Sequence, residues 1–140
     1  MSLVLPSLSS SSVAVIGLGY VGLPLAVELA KNPICLSKLV GFDINNKRLE
    51  ELRSGFDRTK EVSSQMLSTI RDNIIYTSDI SVLSQADVFI VTVPTPIDSA
   101  KRPDLAPLKL ASATVGAAIK SRNKNNPDVA SVIIYESTVF

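Results

Sequence analysis

The chain has 140 residues, 46% hydrophobic and 19% charged, with a net charge of +1. That length holds one domain with a real core and leaves no room for a second. The balanced charge argues against a nucleic-acid surface, and no apolar run approaches the ~20 residues a membrane span needs. Residues 1–12 lack the basic start and cleavage site of a signal peptide and read as a disordered leader. Residues 13–16 form a short β-branched run ending at Gly17, a buried strand. Residues 20–31 are almost wholly apolar and read as a helix packed on a sheet, stopped by Asn32 and Pro33. Residues 39–42 give a second strand closing at Asp43, and residues 45–54 a helix with Leu49 and Leu52 inward. A helix over 61–71, a strand over 73–77, a helical turn over 78–84 and a strand over 86–93, ended by Pro94, follow. Asp104 is placed to cap a helix running to about Arg122, with Leu108, Ala111, Val115 and Ile119 on one face and Pro107 in its first turn. Residues 131–136 form the last strand.

Strands alternate with helices throughout, which implies parallel strands joined by right-handed crossovers. The fold class is α/β, a Rossmann-type doubly wound parallel sheet in a single domain over residues 13–140. Sparse aromatics and abundant Val, Ile, Leu and Ala suit strands buried on both faces.

Gly17-Leu18-Gly19-Tyr20-Val21-Gly22 matches G-x-G-x-x-G between a predicted strand and a predicted helix, the context that gives this weak motif meaning. Gly17 permits the tight turn, Gly19 lets backbone approach a pyrophosphate, and Gly22 lets helix and strand pack closely. The helix N-terminus then offers free N–H groups and a positive dipole end to phosphates. A turn with only a packing role is the plain alternative.

Asp43 lies 21 residues after Gly22. A carboxylate there accepts hydrogen bonds from ribose hydroxyls and repels a 2′-phosphate, favouring NAD over NADP. It could equally cap the helix that begins near Asn45. Arg48 is assigned to the adenosine or pyrophosphate side, and Lys47 to a solvated face.

Five blocks in order, VAVIGLGYVGLPLAVELA, VGFDINNKRLEEL, VFIVTVPTPID, RPDL and VIIYESTV, resemble the UDP-glucose/GDP-mannose dehydrogenase family and together span residues 13–140. The VPTP and PDL blocks resemble the branch acting on UDP-N-acetylhexosamines, the UDP-N-acetylglucosamine 6-dehydrogenases of Vi-type capsular and O-antigen polysaccharide synthesis. The resemblance implies that Gly17, Gly19, Tyr20, Val21 and Gly22 hold the pyrophosphate of NAD, and that Asp43 and Arg48 hold the adenosine side. It implies that Thr95 lies by the nicotinamide half. Thr138 would lie at the nicotinamide and position reacting groups or a water, with Glu136 in the same block. Both threonines have a simpler reading as hydroxyls capping turns beyond strand ends.

The resemblance further implies a cytoplasmic enzyme, a homodimer when full length, that oxidises the sugar C6 alcohol to a carboxylate in two hydride transfers. The second transfer passes through a thiohemiacetal and a thioester on a cysteine. The family's nucleophilic cysteine, lysine, asparagine and aspartate all match beyond Phe140. The chain is therefore expected to be the cofactor half of a larger enzyme, without turnover of its own. Cys35, the one cysteine, reads as a small packing residue and fits a reducing cytoplasm; there is no histidine and no metal-ligand cluster. The alternatives are a 3-hydroxyacid dehydrogenase, which would carry Ser-Gly-Gly near the last strand where this chain has Glu136-Ser137-Thr138, and a non-enzymatic NAD-sensing module.

Overall fold

The computed structural model describes residues 2–32 and 38–138. The elements run β1 (Ser12–Ile16), α1 (Gly22–Ala30), β2 (Lys38–Phe42), α2 (Asn46–Arg53), α3 (Ser64–Thr69), β3 (Ile75–Thr77), α4 (Ile80–Leu83), β4 (Val88–Val91), α5 (Ala106–Asn125) and β5 (Val132–Tyr135), with 3-10 turns at Leu8–Ser10 and Arg71–Asn73. All neighbouring strands pair in parallel, in the order β3-β2-β1-β4-β5. This is the expected doubly wound sheet. The chain leaves β1 toward β2 on one side and returns to β4 on the other, so the order reverses between β1 and β4.

The central strand shows why the sequence is continuously apolar there. Side chains alternate across a strand. Val13 and Val15 pack into one core with Leu23, Val27, Leu49, Leu52, Leu67 and Ile70 from α1, α2, α3 and the turn after α3. Ala14 and Ile16 pack into the other with Leu83, Ala111, Val115 and Ala118 from α4 and α5. Each face of the sheet thus has its own helical layer.

Several boundaries differ from expectation for local reasons. Helix α1 begins at Gly22 and not at Tyr20, because Tyr20 and Val21 belong to the turn leaving Gly19. Helix α3 begins only at Ser64. Ser63 accepts the Met66 N–H, while the Asp57 carboxylate takes the N–H groups of Glu61 and Val62 and keeps them out of a helix. The helix α5 cap is Leu105, which makes no side-chain cap bond; Asp104 accepts the Ala106 N–H at 2.9 Å from one residue further back. Residues 2–12, expected to be a disordered leader, carry the 3-10 turn and a parallel bridge between Val4 and Val129. The Val4 N–H donates to Asp128 O at 3.1 Å and the Ala130 N–H to Val4 O at 2.9 Å. The readings of Pro33 as a helix stop and Cys35 as a packing residue lie outside the described residues.

At the N-terminal ends of the strands, Arg122 is 3% exposed and ties the layers together. Its Nη2 donates to Asp87 Oδ1 and its Nη1 to the Val129 carbonyl at 2.9 Å, while Asp87 Oδ2 accepts the Ser12 N–H at 2.9 Å. One buried cation therefore joins α5 to the entries of β1, β4 and β5.

Candidate cofactor site

At the opposite, C-terminal ends of the strands a groove of about 460 Å³ opens where the strand order reverses. Ligands bind at this place in open α/β sheets because loops diverge there and leave a crevice. The loop after β1 supplies Gly17, Leu18, Gly19 and Tyr20, and the end of β2 supplies Asp43, Ile44 and Asn45. Val93 and Pro94 come from beyond β4, Arg58 and Thr59 from the segment after α2, and Pro107, Leu110, Ala111 and Thr114 from α5. A second hollow of about 550 Å³ lies between α2, α3 and β3 and contains none of the candidate site residues.

Each glycine of the loop has a distinct environment. Gly17 has φ +95°, a left-handed conformation that disfavours any side chain. Beside Gly19 a Cβ would meet nothing within 4 Å, so backbone borders open space where a pyrophosphate would approach. At Gly22 a Cβ would collide with the Gly17 carbonyl and the Thr92 hydroxyl. That hydroxyl, buried at the end of β4, donates to Gly17 O at 2.7 Å and also lies 3.0 Å from Ile16 O. Thr92 was not legible as a site residue; its signal was a hydroxyl closing an apolar strand. Val21, the N-cap of α1, makes no side-chain cap bond; the Leu23 N–H donates to Gly19 O at 3.2 Å and Pro24 carries no N–H, which leaves the Gly22 N–H at the helix start for a ligand.

Asp43 and Arg48 meet this loop from below. Asp43 Oδ2 accepts the Leu18 N–H and Oδ1 the Asn45 N–H, each at 2.9 Å. The α2 cap is Asn45, whose side chain accepts the Arg48 N–H, so Asp43 does not fill that role. Each carboxylate oxygen keeps a lone pair beyond these bonds. Arg48 differs from a solvated cofactor contact: it is 5% exposed. Its Nε donates to Leu18 O at 2.8 Å and its Nη1 lies 2.8 Å from the fully buried Asp57 carboxylate. Its Nη2 is buried with no partner among the described residues. Lys47 is exposed, as expected.

Asp57 was missed in the sequence, although Asp two residues before Thr is a known turn signature. Its Oδ1 accepts the Thr59 hydroxyl at 2.7 Å and the Thr59 N–H at 3.0 Å; Oδ2 accepts the N–H groups of Glu61 at 2.9 Å and Val62 at 3.0 Å. Burial pushes the carboxyl up, but the Thr59 hydroxyl, the Val62 N–H and the Arg48 guanidinium outweigh it and hold the pKa down at about 2.

Thr95 and Thr138 are brought together: Thr95 Oγ1 donates to Thr138 O at 2.6 Å. Ser137 Oγ donates to Val93 O at 2.7 Å, closing the loops after β4 and β5 onto each other. Neither threonine lines the groove.

Residues 11–140 match the model of the UDP-glucose/GDP-mannose dehydrogenase family, NAD binding domain. The chain belongs to this family. It is 46% identical over 129 residues to Protein CapL of Staphylococcus aureus, covering 92% of the chain and 27% of that relative. It is 48% identical over 128 residues to the UDP-N-acetyl-D-glucosamine 6-dehydrogenase of Pseudomonas aeruginosa, covering 91% of the chain and 27% of that relative. A UDP-glucose dehydrogenase structure from Pyrobaculum islandicum superimposes with a TM-score of 0.80 at 25% identity, over 99% of this chain and 31% of that one. The chain thus corresponds to the family's NAD-binding domain and spans 27% of the length of these curated relatives. The groove's features suit that cofactor: open space beside Gly19, the Gly22 N–H at the start of α1, and an orphaned buried Arg48 Nη2.

Proposed function

We propose that the intact gene product is a UDP-N-acetylglucosamine 6-dehydrogenase of surface-polysaccharide synthesis, working in the cytoplasm as a homodimer, and that residues 13–140 are its cofactor domain. The near half-identity to the Pseudomonas aeruginosa UDP-N-acetyl-D-glucosamine 6-dehydrogenase carries this reading. The single cysteine suits a reducing compartment, and among the described residues no helix is long and apolar enough to cross a membrane.

NAD supplies the hydride acceptor. Gly19, Tyr20, Val21 and Gly22 would hold its pyrophosphate through backbone N–H groups and the α1 dipole, while Gly17, whose own N–H donates to Phe42 O at 2.8 Å, would shape the turn that presents them. Asp43 would accept the ribose hydroxyls with the lone pairs left free by Leu18 and Asn45. Arg48 would serve from beneath the adenosine side: it fixes the Leu18 carbonyl of the phosphate loop through its Nε. Thr95 and Thr138 would set the nicotinamide end, where their mutual hydrogen bond fixes the two loops relative to each other. Thr138 would position reacting groups or a water.

Among the described residues, the groove is lined by neither a thiol nor an imidazole. The 140-residue chain by itself is therefore expected to bind NAD and to leave nucleotide sugars unchanged. The test is to supply the intact gene product with UDP-N-acetylglucosamine, UDP-N-acetylmannosamine, UDP-glucose and GDP-mannose and count NADH per sugar. Two NADH per UDP-N-acetylglucosamine supports the proposal. Two NADH with another of these sugars corrects the substrate, and none with any of them overturns the activity.

A further inference from the structure

The ribose end of the groove holds a cation that the sequence motif does not include. Arg58 lines the groove with Asp43 and is 42% exposed in its side chain. An exposed guanidinium beside the ribose carboxylate is chemically awkward for NAD selectivity. It would offset the negative charge of Asp43, and its planar fork suits a phosphate. Arg58, however, is already engaged. Its Nε donates to Glu51 Oε2 at 2.6 Å and its Nη2 to Glu51 Oε1 at 2.8 Å. Glu51 sits one turn along α2 from Lys47 and Arg48, with 18% of its side chain exposed, so the pair is partly shielded from water and salt.

We propose that Glu51 is a specificity residue: by occupying one edge of the Arg58 fork and neutralising its charge, it withholds that cation from a 2′-phosphate and reinforces the preference for NAD over NADP. The proposal rests on reading the groove as the dinucleotide site. Selectivity is a difference of affinities and is set by what is denied to the wrong ligand as much as by what is offered to the right one. Asp43 repels the 2′-phosphate, and Glu51 removes the nearby group that would otherwise attract it. The hydrogen bond from Arg58 holds the Glu51 carboxyl below its ordinary range, so the lock stays charged at neutral pH.

The test is fluorescence titration of the 140-residue chain with NADH and with NADPH. Glu51→Gln keeps the shape but weakens the hold on Arg58. It should tighten NADPH about tenfold and leave NADH within about twofold. The gain should add to that of Asp43→Ser and vanish in the Glu51→Gln/Arg58→Gln double variant. Unchanged NADPH affinity for Glu51→Gln, in both the native and the Asp43→Ser background, overturns the proposal. So does a gain that survives removal of Arg58. Should Glu51→Gln unfold, Glu51→Asp in the Asp43→Ser background, which draws the carboxylate back from the Arg58 fork, carries the same question: it should tighten NADPH, and no change overturns the idea. A native chain that binds neither nucleotide instead refutes the parent reading of the groove, and this proposal with it.

Discussion

Arg48 joins two segments that are far apart in the chain: its Nε holds the Leu18 carbonyl of the phosphate loop, and its Nη1 faces the fully buried carboxylate of Asp57. The pair fixes the loop from inside the protein. Removing Asp57 leaves a buried guanidinium uncompensated and also frees the N–H groups of Thr59, Glu61 and Val62. We expect Asp57→Ala to cost about 3–5 kcal/mol, measured by urea unfolding; a loss below about 1 kcal/mol would show the network to be incidental.

The same carboxyl gives a pH dependence of defined sign. Its folded pKa of about 2 lies below the ordinary aspartate value of 3.8. A depressed carboxylate contributes stability above its unfolded pKa and loses it as pH falls toward the folded value. Stability worth about 2 kcal/mol should therefore disappear between roughly pH 4 and pH 2. Comparing the chain with Asp57→Asn across that range checks this, since the variant should lack this component of the decline. Parallel acid profiles for the two proteins would place the sensitivity elsewhere.

Gly22 abuts the Gly17 carbonyl and the Thr92 hydroxyl without room for a methyl group. Gly22→Ala should push α1 from the sheet, costing about 1–3 kcal/mol and weakening NAD binding well beyond tenfold. Gly19→Ala has space and should retain stability, while its Cβ enters the region assigned to pyrophosphate. Thermal melts and NAD titrations on both variants separate the roles; equal effects of the two on melting temperature would contradict the assignment.

Asp43 accepts two backbone N–H groups. In Asp43→Asn the amide must turn its NH₂ toward one of these donors, whichever way it flips. We expect NAD affinity to fall about tenfold or more, from the loss of a charge-assisted ribose contact. Isothermal titration reads this directly, and undiminished affinity would remove Asp43 from the ribose role.

Arg122→Ala would strand the Asp87 carboxylate at the entries of β1 and β4. The expected cost is about 3 kcal/mol or more, with no separate effect on NAD affinity in molecules that remain folded, because this cation lies at the opposite end of the strands. A selective loss of NAD binding at unchanged stability would be incompatible with that placement.

Much of the molecule was legible in sequence because its signals are local. The β-branched run before Gly17 and the apolar stretch after Gly22 gave a strand, a turn and a helix directly, and the alternation of strands and helices implied a parallel sheet. Asp43 was visible from its position at a strand end. Helix ends were less legible. Whether Asp57 would take the Glu61 and Val62 N–H groups, and so delay α3 to Ser64, depends on a fold around one carboxylate that periodicity does not record.

By itself, the sequence determined the strand-and-helix order, the phosphate loop and the family, since each rests on residues adjacent in the chain or on their spacing. Only the tertiary structure decided that Arg48 is buried, that Thr92 closes the glycine turn, that Thr95 meets Thr138, and that Glu51 engages Arg58 at the groove. Arg48, Lys47 and Arg58 are alike as sequence symbols: cations in or just beyond a charged helix. Their roles diverge because burial beside Asp57, exposure to water and pairing with Glu51 assign each charge a different environment, and a charge acts through its surroundings.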